Sequence, residues 1–291
     1  MFQTVHFTQQ LNTQGSVILL GGFDGLHVGH RLLLSRAKEY GVPVGVMTIV
    51  GAKQGGNLFT FAEREKIFRM AGVDFAFELP FSEIKDLSPN TFIALIEKQF
   101  SPVAFVCGED FRFGRGAQGD AALLKRITNV KVDVLPLLEK DGQKVSSSTV
   151  KKLLSEKDLP QANTLLSEPY FLMGTVKEGR KVGRLLGFPT ANITYPEGKF
   201  TLPHGVYETA VEVDGKTYKA ITNFGTQPTF LEGQVCVETH LGGFVGNLYG
   251  QMLTIQFLRF LRPIQRFENA EALKAQLASD LQSIQGDKNG D

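Results

Sequence analysis

Tryptophan is absent from this 291-residue chain, and cysteine nearly so, with Cys107 and Cys236 alone. Two thiols so far apart do not make the disulfide framework of a secreted domain, and the natural compartment is a reducing cytoplasm. An excess of charge of one sign is also missing. The 31 basic residues stand against 30 acidic ones with no long basic block, so nucleic acid is not implied as a partner. No apolar run approaches the ~18 residues that cross a membrane, and residues 1–6 lack the charged start and apolar centre of a signal peptide. What is abundant is glycine, at 31, and phenylalanine, at 23. The glycines suggest tight turns and close approach of backbone to ligand; the phenylalanines read mostly as core. Hydrophobic content of 42% suits a globular protein, and the length favours two domains.

The first informative stretch is Gly21-Gly22-Phe23-Asp24-Gly25-Leu26-His27-Val28-Gly29-His30. It follows the apolar run Val17-Ile18-Leu19-Leu20 and precedes a helical pattern from Arg31 to about residue 40. Strand, glycine-rich turn and helix in that order make an anion site, because the helix start offers unpaired N–H groups and the positive end of its dipole. Two imidazoles beside the turn suit a polyphosphate. A zinc site and a pair of core histidines are the rival readings, the first short of ligands in a chain with five histidines.

A strand over residues 42–50 completes a βαβ unit and hence a parallel sheet. A helix over 60–71 is expected to hold Glu63, Arg64, Glu65 and Lys66 on its wet side. Strands follow over 73–79, 103–106 and 132–137. Ser88 with Pro89 predicts a capped helix start. At the end of the 103–106 strand stands Cys107-Gly108-Glu109-Asp110-Phe111-Arg112-Phe113-Gly114-Arg115-Gly116. An aromatic pair and two arginines among glycines can hold a flat ring and a phosphate; the plainer reading is a turn with core phenylalanines. Ser146, Ser147 and Ser148 can cap a helix and donate to phosphate oxygens, with Lys151 as a nearby cation.

A helix over 157–167 closes the first half, and the boundary falls at 168, giving domains over 1–168 and 169–291. The texture then changes to short β-type runs, which predict a small antiparallel barrel. Gly174, Gly179, Gly183 and Arg184 lead into Leu185-Leu186-Gly187-Phe188-Pro189-Thr190-Ala191-Asn192. A flap spaced by glycines can close over phosphates, and Thr190 and Asn192 can give oxygens to a hydrated magnesium ion; a simple barrel turn is the alternative. Glu238 alternates with apolar residues in Val237-Glu238-Thr239-His240-Leu241, where a carboxylate is costly unless paired or used. It is otherwise a solvent-facing strand glutamate. An amphipathic helix over 269–284 presents Leu273, Leu277 and Leu281.

Taken together these strings closely resemble the bacterial bifunctional riboflavin kinase/FMN adenylyltransferases, or FAD synthetases. The resemblance rests on Gly-x-Phe-Asp-Gly-x-His-x-Gly-His at 21–30, Gly-x-Asp-Phe-x-Phe-Gly at 108–114, the serine run at 146–148, Gly-Arg-x-Leu-Gly-Phe-Pro-Thr-Ala-Asn at 183–192, and the strand of Glu238. It implies an α/β nucleotidylyltransferase domain, Rossmann-like and of the HxGH type, followed by a β-barrel riboflavin kinase domain with a terminal helix. The implied chemistry is phosphorylation of riboflavin by Mg2+-ATP to FMN, then adenylylation of FMN to FAD. The implied roles are catalysis by Glu238, His27 and His30. ATP would be bound by Gly21, Phe23, Asp24, Gly25, Gly29, Ser146, Ser147, Ser148 and Lys151 in one domain. In the other it would be bound by Gly174, Gly179, Gly183, Arg184, Gly187, Phe188 and Pro189, with magnesium on Thr190 and Asn192. Flavin would meet Asp110, Phe111, Arg112, Phe113, Asn223 and Arg262. The chain departs from the family pattern after Val50, where Gly51-Ala52-Lys53 replaces a Pro-His-Pro turn, and at residues 242–250, which are less acidic than usual. Three alternatives stay open: kinase alone, adenylyltransferase alone, or a flavin-sensing regulator without catalysis. Oligomeric state is left open.

Overall fold

The computed structural model describes residues 2–6, 15–51, 55–140, 142–178, 187–226 and 235–285. The chain divides into two compact units, residues 1–150 with 165–167 and residues 151–164 with 168–291.

The first unit runs β1 (Gln3–His6), β2 (Val17–Leu20), α1 (Val28–Lys38), β3 (Val44–Val50), α2 (Phe61–Met70), β4 (Phe75–Pro80), the one-turn α3 (Phe81–Ile84) and α4 (Pro89–Phe100). There follow β5 (Ala104–Gly108), the short pair β6 (Arg112–Phe113) and β7 (Gly119–Asp120), α5 (Ala121–Ile127), β8 (Lys131–Leu135) and the hairpin of β9 (Glu139–Lys140) and β10 (Gln143–Lys144). Six strands form a parallel sheet in the order β1-β4-β3-β2-β5-β8. Every residue of β2 is buried, as a central strand of a covered parallel sheet requires. From β2 the chain steps outward through β3 and β4, then returns to the other side of β2 as β5. The order reverses there, and ligands of such sheets bind beyond the strand ends at that point.

Local chemistry sets the helix starts. The Ser88 hydroxyl accepts from the Thr91 N–H at 3.1 Å with Pro89 opening α4, as expected. Thr60 and Glu63 form a capping box on α2, an arrangement that satisfies two otherwise orphaned N–H groups. The expectation that the α2 charges face water is corrected at two positions, since Glu63 and Arg64 are 0% and 1% exposed. Glu63 is consumed by the cap, its carboxylate accepting from the Thr60 N–H at 2.7 Å. Arg64 donates to the Thr48 hydroxyl at 2.5 Å and to the Ile49 carbonyl at 3.1 Å, bracing the end of β3.

The changeover between the units runs through α6 (Ser147–Ser155) and α7 (Leu159–Leu165). The second unit then runs β11 (Phe171–Thr175), β12 (Ala191–Thr194), β13 (Gly205–Val213), β14 (Lys216–Thr226), β15 (Val235–Leu241), β16 (Met252–Arg262) and α8 (Ala270–Gln285). The strands pair antiparallel in the order β11-β16-β13-β14-β15-β12. A bridge between Lys177 and Asn192 links the two outer strands, so the sheet is a nearly closed barrel, which removes the edges of an open sheet. Tyr207, Phe224 and Phe257 fill the interior. Beside them the buried hydroxyls of Thr209, Thr222 and Thr239 bond in series at 2.8 Å each, satisfying one another. The terminal helix buries Ile284 against Val206 and Ile221. Among the described residues no helix is long and apolar enough to cross a membrane.

Candidate active sites

In the first unit the turn after β2 carries left-handed backbone at Phe23 (φ +35°) and Gly25 (φ +95°). Such a conformation costs a residue with a side chain about 1–3 kcal/mol and clusters at functional sites. At Gly25 a Cβ would also lie 2.7 Å from the Phe59 ring. Helix α1 begins at Val28, earlier than expected, so His27 is its N-cap and His30 lies in its first turn. The His30 N–H donates to His27 Nδ1 at 3.2 Å, and His30 Nδ1 donates to the Gly25 carbonyl at 2.9 Å. These bonds assign the neutral tautomers: His27 carries its proton on Nε2 and His30 on Nδ1. The two rings stack at 3.6 Å and 15°, and Phe23 stacks on His30 at 4.3 Å. Gly29 leaves room for this stack, since a Cβ there would sit 3.2 Å from His27 Nδ1.

The stack walls a cavity of about 530 Å3. Gly21, Phe23, Asp24 and Gly29 line it from the turn, and Ser146, Ser147 and Ser148 from the start of α6. Asp110, Phe111 and Arg112 line it from the end of β5. Ser146 is spent partly on its helix, accepting from the Thr149 N–H at 3.2 Å. Two helix starts therefore open on one cavity, each with N–H groups suited to phosphate. Phe113 does not line it; it packs behind Phe111 at 5.3 Å and beside Phe92, as a core ring. Lys151 is not brought there either. It groups with the second unit, its ammonium 5.8 Å from the centre of the Phe200 ring. Lys144, paired with Asp110 at 2.6 Å, lines the cavity together with Arg112.

In the second unit strand register does the assembly. On β15, Glu238 stands opposite Asn192 of β12 on one side and opposite Asn223 of β14 on the other. Residues paired in this way share a face, so an amide flanks the carboxylate on each side. Cys236 and His240 lie on that face too, two residues either way along β15. Burial, with help from the Glu238 charge, pushes the Cys236 thiol up to about 11, which makes it an inert thiol and not a nucleophile. A cavity of about 650 Å3 adjoins, lined by Gly187, Pro189, Thr190 and Asn192 and faced by residues 244–249. Asn192 Nδ2 donates to the Thr190 carbonyl at 3.4 Å, so its Oδ1 is the atom that would meet a cation. His240 Nδ1 donates to the Pro189 carbonyl at 2.9 Å, and the ring meets Phe188 edge-on at 5.2 Å. Burial pushes the His240 imidazole below the ordinary histidine value, and the bond to Pro189 opposes this.

Five expected residues are engaged elsewhere in the barrel or lie beyond description. Gly174 packs a strand crossing, since a Cβ there would fall 2.3 Å from Ile193. Arg262 is engaged by Asp280 of α8 through bonds of 2.7 and 3.1 Å and by the Pro263 carbonyl. Gly179, Gly183 and Arg184 lie outside the described residues, as do Ala52 and Lys53 of the loop that departs from the family pattern.

Comparison with known proteins agrees with both halves. The FAD synthetase family model matches residues 9–149, and the riboflavin kinase model matches residues 166–286. The bifunctional riboflavin kinase/FMN adenylyltransferase of Pseudomonas fluorescens is 34% identical over 285 residues, 92% of this chain and 91% of that protein. The chain belongs to the bifunctional riboflavin kinase/FMN adenylyltransferase family. The Bacillus subtilis member is 33% identical over 92% of this chain and 90% of its own length. A crystal structure described as a macrolide-efflux protein from Streptococcus pneumoniae superposes with a TM-score of 0.86 at 26% identity, covering 97% of this chain and 99% of that one. Two residues placed beside these sites that the sequence did not single out are Lys144 and His240. Lys144 directly precedes the Val145-serine motif and His240 follows Glu238 by two, so proximity to a motif was the available signal.

Proposed function

We propose that this chain makes FMN from riboflavin in its second unit and FAD from FMN in its first, using ATP in both. What supports the reading is that each unit gathers its own motif residues: imidazoles stacked at one helix start and serines at a second in one, and a carboxylate between two asparagines in the other. In the kinase step Glu238 takes the proton from the terminal ribityl hydroxyl as that oxygen attacks the γ-phosphorus of ATP and ADP leaves. The donor set beside it, a threonine hydroxyl and an amide oxygen, fits Mg2+, which prefers a few protein oxygens plus phosphate and water. When bound to Thr190 and Asn192 the ion would offset charge on the phosphates. In the adenylyl step an FMN phosphate oxygen attacks the α-phosphorus and pyrophosphate leaves. The neutral His27 offers a donor at Nε2, and His30 adds a second when protonated; both act on charge that grows in the transition state. An FMN phosphate is already a competent nucleophile, so no covalent intermediate with the enzyme is required. A cytoplasmic location follows from the substrates and the unpaired cysteines.

Chromatography of products tests this directly. Riboflavin with Mg2+-ATP is expected to yield FMN and then FAD, and supplied FMN is expected to yield FAD with pyrophosphate. FMN without FAD would restrict the chain to kinase activity, the reading that the altered sequence after Val50 favours. Formation of neither FMN nor FAD would overturn the proposal.

A further inference from the structure

We propose that His240 is a positioning residue of the kinase site, holding the peptide that sets Thr190 in place. The inference rests on the reading of Thr190 and Asn192 as the magnesium–nucleotide ligands. Asn192 needs no such help, because it lies within β12 and its place is set by pairing with Glu238. Thr190 lies one residue before that strand, whose pairing begins at Ala191 opposite Thr239. The ladder therefore stops short of one of the two proposed ligands.

His240 reaches across at this point. Its Nδ1 donates to the Pro189 carbonyl at 2.9 Å. A peptide unit is planar, so fixing that carbonyl also fixes the nitrogen and Cα of Thr190. The same ring supports the turn one residue further back, meeting Phe188 edge-on at 5.2 Å and 66°, a favoured aromatic arrangement. A donor is obligatory here because a carbonyl can only accept, and the Nδ1–H supplies it. Strand periodicity puts His240 on the face of Glu238. One strand thus carries the proposed base and the brace for the metal ligand, and the distance between them is set by a single dipeptide.

The test uses the full-length protein with two substitutions. His240→Phe keeps a ring against Phe188 but has no donor; His240→Asn places an amide N–H near the position of Nδ1. Losing one such hydrogen bond predicts a KM for Mg2+-ATP raised about tenfold in His240→Phe. Its kcat and riboflavin KM should stay within about threefold, and His240→Asn should recover most of the loss. Adenylylation of supplied FMN, a reaction of the other unit, should be unchanged and reports on the integrity of the chain. Calorimetric titration with Mg2+-ADP should show the same order of affinities, wild type and Asn above Phe. An unchanged KM in His240→Phe, a fall in kcat alone, or an Asn variant as impaired as Phe would each overturn this inference while leaving the kinase reading intact. A wild-type chain without kinase activity would overturn both.

Discussion

The two units solve one problem, holding a polyphosphate, by opposite means. In the first, the chemistry sits on turns. The His27 and His30 rings are oriented by a helix cap, by a bond to the Gly25 carbonyl and by stacking among residues 23–30, with a backbone bridge from His27 to Leu166 beside them. The cavity is then completed by turns from distant parts of the chain. In the second, the chemistry sits on strands, and Glu238 meets Asn192 and Asn223 because three strands are in register. A site made of turns can be altered piece by piece. A site made of register stands or falls with the barrel, and only the residues just outside the ladder need separate support.

The sharpest way to break this comparison is to ask whether the two sites fail independently. Glu238→Gln keeps shape and flanking amides but removes the base. It should lower FMN formation about 10^3-fold and leave the adenylylation of supplied FMN untouched. His30→Ala should do the converse, lowering FAD formation about 10^2-fold or more with kinase turnover unchanged. Steady-state assays of each reaction with its own substrate read both. Loss of both activities in either variant would mean that the sites are not separate.

A smaller effect concerns stability. Arg262, expected at the flavin, has only 14% of its side chain exposed and is held by Asp280, which is 7% exposed. Removing one partner of a buried ion pair leaves the other unpaired, so Arg262→Met should cost about 3 kcal/mol or more in urea unfolding. A double variant with Asp280→Leu should recover much of that loss, because two apolar groups bury without an orphaned charge. Riboflavin KM, measured well below the melting temperature, should hold steady. A raised KM without loss of stability would return Arg262 to the flavin site and weaken the contrast between ladder and brace.

What could be read in advance divides along the same line. The Ser88-Pro89 start of α4 was legible because capping involves neighbours in the chain. So were the glycine turn and the barrel, whose patterns are local in the first case and repetitive in the second. The role of His27 as a cap was not, because histidine is not among the side chains that favour that position. Nor was the burial of Glu63 and Arg64: their charges looked solvated until α2 was laid against the end of β3. The partner of Arg262 lies 18 residues ahead on a helix, and no local pattern links them. Strand β1 is four residues long and pairs at the sheet edge with β4, some 70 residues on, a partnership that only the folded sheet reveals.

Lys144 offers the finest test, because it is a second candidate for the cation that Lys151 was expected to supply. It lines the first cavity and pairs with Asp110 at 2.6 Å, but both side chains are close to half exposed. A pair so open to water is worth only about 0–1 kcal/mol, so an incoming phosphate can take the ammonium from Asp110 at little cost. Lys144→Ala should therefore leave stability almost unchanged. It should weaken the adenylyl step by about threefold to tenfold, through KM for ATP or FMN and with little change in kcat, as expected for a lost charge-assisted contact near the cavity mouth. The loss should shrink at high salt, which screens exposed charges and not buried ones. Lys151→Ala, altering a side chain placed over Phe200, should leave that KM where it is. If the two variants exchange these outcomes, the cation belongs to the helix after all, and the first site draws on more than its turns.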